Sequence, residues 1–222
     1  MANYFNNFPL TLYTLAANNV TGLDTVTNII SRFSFEETLK ENGSIFYPYE
    51  IKDTDTPEII ATKIYNSPER HWIVLMFNDI IDPQYDWPLS YPNFIKYVNE
   101  KYAANGASNT TVQSGLTWAQ SINNVHSYYQ VNTRIFVTST YDQKTIVEKV
   151  RITSNAYANL SQTTTNYTLP SGKIVKETVT KEKLTYYEYE MQENEAKRSI
   201  KLVKPEFVPQ IVEEFQAVIN PQ

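Results

Sequence analysis

The sequence predicts an α+β fold, and three observations predict it. Residues 55–102 carry repeated helix-start signals and apolar residues at helical spacing. Residues 131–203 turn rich in Thr, Val, Ile and Tyr between short turn signals, the pattern of antiparallel strands. Val208, Ile211, Val212, Phe215, Val218 and Ile219 then put an apolar stripe on a closing helix.

Taken in order, residues 1–24 hold many Asn and short aromatic clusters, which predicts an extended arm whose rings need a partner surface. Asp24 or Thr25 can cap a helix reaching Phe33, with Val26, Ile29, Ile30 and Phe33 on one face. Residues 44–52 read as a strand in which Pro48 suggests an edge position or a bulge. Asp55-Thr56-Pro57-Glu58 then starts a helix to about Tyr65, since it combines a capping side chain with a proline in the first turn. Ser67-Pro68-Glu69 starts a second, and Asn78 ends it as a left-handed residue. That second helix, HWIVLMF, is apolar on nearly every side and must be buried all round.

Residues 79–89 form a Pro-containing loop, and Ser90-Tyr91-Pro92 opens a third helix bearing Tyr91, Phe94, Ile95, Val98 and Tyr102. The polar stretch 103–115 lacks periodicity and serves as the expected linker. A helix is expected from Leu116 to about Tyr128, then strands at 135–137, 146–152, 174–179, 184–189 and 200–203. Pro209 must fall in the first turn of the closing helix, because a deeper position costs about 3 kcal/mol. The expected organisation is therefore an arm (1–24), a helical domain (25–102), a linker (103–115) and a β-rich domain with its helix (116–222).

Composition removes most chemistry. With no Cys among 222 residues, thiolate nucleophiles, disulfides and thiolate metal sites are excluded. Two His, His71 and His126, cannot build a zinc site alone, and five Gly with neither GxGxxG nor GxxxxGK[ST] argue against a phosphate cradle. No cofactor and no metal are expected. A net charge of −5 without a basic face opposes nucleic-acid binding. Residues 36–100 hold 12 acids against 5 bases, while the remainder is slightly basic, so neighbours could meet through opposite charge. The N-terminus lacks the basic and apolar segments of a secretory signal, and no run suffices to span a bilayer, so neither export nor a membrane is expected.

Residues 52–78, KDTDTPEIIATKIYNSPERHWIVLMFN, resemble the LysM pattern of strand, Asp-Thr turn, helix, Tyr-Asn, second helix and terminal Asn. The longer run PEIIATKIYNSPERHWIVLMFNDIIDPQYDWPLSYPNFIKYVNEKY, with TYYEYEMQENEAKRSIKLVKPEFVPQIVEEF downstream, resembles the baseplate wedge protein 53 family of T-even-like contractile-tailed bacteriophages. The resemblance implies a structural virion protein of the tail baseplate, assembled in the host cytoplasm and carrying a LysM-like βααβ unit for protein contacts. It also implies partners: other wedge subunits, and neighbouring copies in a six-fold ring around the hub. Asp53-Thr54 replaces the Gly usual before the Asp-Thr turn, and the second helix is apolar, so peptidoglycan binding is not expected. A LysM-type cell-wall module is the alternative reading, and a tail-associated cell-wall hydrolase the third.

The site candidates follow from that role. Tyr4, Phe5 and Phe8 in the arm, and Tyr85, Trp87 and Pro88 in the loop, are of the residue types that anchor protein interfaces, with packing over the third helix the alternative for the three loop residues. Asp79, Asp82 and Asp86 could suggest calcium, but the Gly and terminal Glu of a calcium loop are missing, so they are read as caps. Glu188, Glu190, Glu193 and Glu195 could suggest a glycosidase pair. The alternation Tyr187-Glu188-Tyr189-Glu190 instead reads as a strand with one aromatic and one acidic side, and no catalysis is expected. His71 and His126 read as hydrogen-bonded packing residues at helix ends.

Overall fold

The computed structural model describes residues 8–14, 23–28, 34–108, 111–137, 143–172 and 174–219. The elements in chain order are β1 (Leu10–Thr14), β2 (Leu23–Thr27), α1 (Glu37–Glu41), β3 (Phe46–Glu50), α2 (Pro57–Tyr65), α3 (His71–Phe77) and α4 (Pro83–Asp86). There follow α5 (Tyr91–Lys101), α6 (Ala103–Gly106), β4 (Ala107–Ser108), β5 (Thr111–Val112), α7 (Gly115–Gln120), β6 (Val125–Val137) and β7 (Gln143–Ile152). The last are α8 (Ser154–Asn159), β8 (Thr163–Thr168), β9 (Ile174–Thr185), α9 (Tyr186–Ala196), β10 (Ser199–Val203) and α10 (Val208–Ile219). Helices coexist with antiparallel sheets, so the protein is α+β. It forms two compact units, residues 1–90 with 194–222, and residues 91–193. The division therefore falls at two points in the chain and not within the stretch 103–115, which holds α6 and the short β4–β5 hairpin.

In the first unit, β3 pairs antiparallel with β10, from Phe46 opposite Val203 to Glu50 opposite Ser199. Pro48 is tolerated because this sheet has two strands and each is an edge. Thr56 caps α2 by accepting from the Ile59 N–H, Pro57 fills its first position, and Asn66 ends it in the left-handed region at φ 55°. Ile60, Ile73, Val74, Phe77, Leu202 and Phe215 are among the fully buried side chains of the core. The order β3-α2-α3-β10 is thus a βααβ unit. Its closing strand does not follow α3 directly; it arrives more than a hundred residues later.

Several expectations change here. Asp24, Thr25 and Val26 lie in β2, paired antiparallel with β1, and not in a helix; residues 29–33 fall outside the described residues. Thr recurs in LTLYT and LDTVT, beside Tyr13 in the first and Val26 in the second, and β-branched and aromatic residues suit the pleat better than a helix turn. The second helix is preceded by a 3-10 turn at Pro68–Arg70, and the left-handed residue is Asp79 at φ 55°, since Asn78 sits at φ −106°. The closing helix α10 packs into this first unit through Val208, Ile211, Phe215 and Ile219, and does not close the β-rich part.

The second unit contains a four-stranded antiparallel sheet in the order β7-β6-β9-β8. The helix expected to reach Tyr128 stops at Gln120, and β6 begins at Val125. The strand expected at 184–189 gives way at Tyr186 to α9. Thr185 and Glu188 explain it: Glu188 accepts from the Thr185 N–H while Thr185 Oγ1 accepts from the Glu188 N–H, a reciprocal capping box. Phe94, Val98, Tyr102 and Ala119 are buried among the helices. A Cβ on Gly115 would lie 2.2 Å from the Asn99 carbonyl oxygen, so only glycine lets α7 begin against α5.

Candidate protein interface

The loop 78–89 of the first unit is held at both ends by side chains. Asn78 donates to the Lys201 carbonyl (2.8 Å) and accepts from the Lys201 N–H (2.7 Å), so one amide stitches the end of α3 to β10. Asp79 pairs with Lys40, which Glu37 also contacts. Burial alone would depress the Lys40 ammonium, but its two carboxylate partners outweigh that and hold its pKa above the ordinary value. Asp82 caps α4 by accepting from the Gln84 N–H at 3.0 Å, and Asp86 accepts from the Asp82 N–H at 3.1 Å. Lys197 donates to the Tyr85 carbonyl at 2.6 Å, and Trp87 Nε1 donates to the Asp55 carbonyl at 3.1 Å. Leu89 and Asn194 exchange two hydrogen bonds. Arg198 completes the anchoring through Asp53 at 2.7 Å, Glu195 at 2.9 Å and the carbonyls of Ile51 and Leu89.

This anchoring decides which side chains remain for a partner. Ile81 is 80% exposed and Tyr85 68% exposed, with Asp79, Asp82 and Asp86 around them. An open groove of about 290 Å³ lies alongside, lined by Asn78, Asp79, Ile80, Asp86, Lys197, Ser199 and Ile200. Trp87 is half-buried against the core and Pro88 is buried. Phe8 is also buried, its ring set edge-on to Phe215 at 6.1 Å, while Tyr4 and Phe5 lie outside the described residues. Of the six side chains proposed from sequence, Tyr85 is the exposed ring among the described residues. Ile81, beside it in the sequence, has no sequence signature beyond being apolar in a polar loop.

Asp55 positions the loop from beneath. Its carboxylate is buried and accepts from Tyr49 Oη (2.7 Å), Lys63 Nζ (2.6 Å) and the Lys52 N–H (3.1 Å). Burial would raise its pKa, but these donors, Lys63 foremost, leave it below the usual 3.8. Burial and the Asp55 hydrogen bond together push the Tyr49 phenol up to about 12. A carboxyl depressed in the folded state stabilises fully above its unfolded pKa and loses that contribution as pH falls through the folded value. Asp55→Asn should therefore cost about 1–3 kcal/mol at neutral pH, and the gap to wild type should shrink below pH 3.8. Melting both proteins across an acid series measures it; a gap that stays constant would exclude Asp55 as the titrating group.

The remaining polar candidates have structural partners. His71 Nδ1 lies 2.9 Å from the Pro68 carbonyl. His126 sits in β6 and not at a helix end, stacked 3.8 Å from the Tyr189 ring. Glu190 is buried and accepts from Tyr102 Oη and Lys101 Nζ, both at 2.7 Å, while Glu188 caps α9. Among the described residues no group of three His, Asp or Glu is placed to hold a metal ion, and no helix is long and apolar enough to cross a membrane. The α3 side chains Trp72, Ile73, Val74 and Phe77 are core residues, so their apolar character says nothing about glycan binding.

Comparison with known proteins bears on the whole chain. Baseplate wedge protein gp53 of Enterobacteria phage T4 is 39% identical over 54 residues, which is 24% of this chain and 28% of that protein. The profile of the family described as Base plate wedge protein 53 matches residues 10–218, which takes in both units. The chain belongs to the base plate wedge protein 53 family and is a structural component of a phage tail baseplate.

Proposed function

We propose that the chain acts without catalysis, holding neighbouring wedge subunits together around the hub, with the loop 79–87 as a contact surface. The observation that supports this reading is the anchored loop, which points Ile81 and Tyr85 into solvent while its backbone is fixed by Lys197, Trp87 and Asn78. A loop already ordered loses little conformational freedom on binding, so apolar burial appears more fully as affinity. A large ring with a polar tip is also of the type enriched among interface anchors. The partners in this reading are other wedge subunits and further copies in a six-fold ring, in the virion tail.

The test is a double replacement, Ile81→Ser with Tyr85→Ala, introduced into a phage carrying this gene. Both side chains are exposed, so the melting temperature of the purified variant should match wild type. Baseplate incorporation, read by quantitative blotting of purified tails, should fall at least severalfold. Undiminished incorporation would exclude this loop as the contact.

A further inference from the structure

The sheet β7-β6-β9-β8 lacks the signature of a covered face. A sheet packed on one side buries every second residue along each strand. In β7 every residue except Ile152 is exposed, in β8 all are, in β6 only Ser127 is buried, and in β9 Val175, Leu184 and Thr185 are, with no alternation between them. The two faces nevertheless differ. Residues directly paired across strands share a face. Tyr128 lies on one of them, where Tyr157 of α8 packs 4.9 Å away and Lys181 reaches back to the Tyr157 carbonyl. The other face carries Val131, Ile135 and Val137 of β6, with Val147 of β7 (61% exposed) and Ile174 of β9 (51% exposed).

Both faces are basic by the same pairing, and the second is the one on which the Tyr157 ring does not pack. Lys149 and Arg151 stand on it from β7 and Lys176 from β9, against one acid, Glu182. Lys149 is paired to Glu182 at 2.6 Å; Arg151 and Lys176 have no ion pair among the described residues. Charge is divided between the units in the same sense. Residues 1–90 with 194–222 hold 16 acids and 9 bases, whereas residues 91–193 hold 8 acids and 10 bases.

We propose that this basic, aliphatic face receives the loop 79–87 of a second copy of the chain. Ile81 and Tyr85 meet the Val131, Ile135, Val147 and Ile174 stripe, and Asp82 and Asp86 meet Arg151 and Lys176. The inference rests on the contact role given to the loop above and names its partner. Opposite charge on two apolar patches, one exposing Ile81 and Tyr85 and the other Val147 and Ile174 beside the half-buried Val131 and Ile135, favours this pairing over two like faces meeting, since like-charge juxtaposition is costly. The patches differ, so the contact is head to tail: each copy keeps one free loop or one free sheet until a ring closes.

The test uses the purified full-length chain in sedimentation velocity at low and high ionic strength. Wild type should grow beyond dimer with concentration at low salt and revert to monomer at high salt. Arg151→Glu with Lys176→Glu removes the sheet side; Asp82→Asn with Asp86→Asn removes the loop charges while keeping an oxygen for each cap. Each variant alone should associate about tenfold more weakly, and an equimolar mixture should regain dimers and nothing larger, because one sound contact survives per pair. Circular dichroism melts verify folding, and Arg151→Gln with Lys176→Gln replaces the reversal if that one does not fold. A wild type that stays monomeric at every concentration overturns the proposal, as does a variant that associates like wild type or a mixture that stays monomeric. If monomeric wild type still enters baseplates through Tyr85, only this pairing fails. If copies associate as described but the Tyr85 variant incorporates normally, the wider role of the loop fails instead.

Discussion

A chain cut after Tyr102 is expected not to fold, whereas one with residues 91–193 removed is expected to fold. The first retains β3, α2 and α3, the segment that looks self-sufficient in sequence. It lacks Leu202 and Val203, which pair with and cover β3, and Val208 and Phe215, all fully buried in the same core. The burial of these four side chains, about 1.5–3 kcal/mol each, is lost outright, and Ile60, Ile73 and Phe77 are uncovered on one side. Four such losses approach the entire 5–15 kcal/mol stability of a typical domain. The excised chain keeps all of these residues, and its ends are already adjacent, since Leu89 and Asn194 bond to each other at 2.7 and 3.1 Å. A linker of about four Gly and Ser residues joins Ser90 to Asn194 without strain. Circular dichroism melts separate the outcomes: a broad, non-cooperative trace for the truncation and a sigmoidal one for the excision. The reverse pattern would show that the core is not shared between the two ends of the chain.

That arrangement marks the boundary of what could be read from sequence. The helix starts at Thr56-Pro57 and Ser67-Pro68 and the stripe of α10 were legible because caps, prolines and a 3.6-residue period act over a few positions. Which core α10 joins was not legible, since Trp72 and Phe215 meet across more than a hundred residues with no local mark of the contact. At 184–189 the aromatic alternation suggests a strand, yet Thr185 and Glu188 form a capping box, whose spacing is itself a local signal of a helix start. In the loop 79–89, residue type offered Tyr85, Trp87 and Pro88 alike as interface candidates and could not tell that Tyr85 is the exposed one of the three. The Trp87 ring is held by the Asp55 carbonyl, some thirty residues earlier in the chain, and by the core it packs against.

Phe215→Ala is expected to be the most damaging single substitution in the first unit. Its ring is fully buried, stacked at a tilt on Trp72 with centroids 4.6 Å apart and met edge-on by Phe8 at 6.1 Å. It thereby joins three distant pieces of chain: the segment before β1, helix α3 and the closing helix α10. Truncating a buried Phe costs about 3–5 kcal/mol, through lost transfer energy and the cavity left behind. Two aromatic contacts worth about 0.5–1.5 kcal/mol each beyond their area disappear with it. For a chain of this size each kcal/mol lowers the melting temperature by about 2–4 °C, so a fall of roughly 6–20 °C should be seen by calorimetry. Glu213→Ala, one turn-position away on the exposed side of α10, should stay within about 0.5 kcal/mol of wild type. Phe215→Leu should fall between them, because it keeps most of the volume and loses the ring contacts. If Phe215→Ala melted with wild type while Glu213→Ala did not, α10 would have to present its other face to the core.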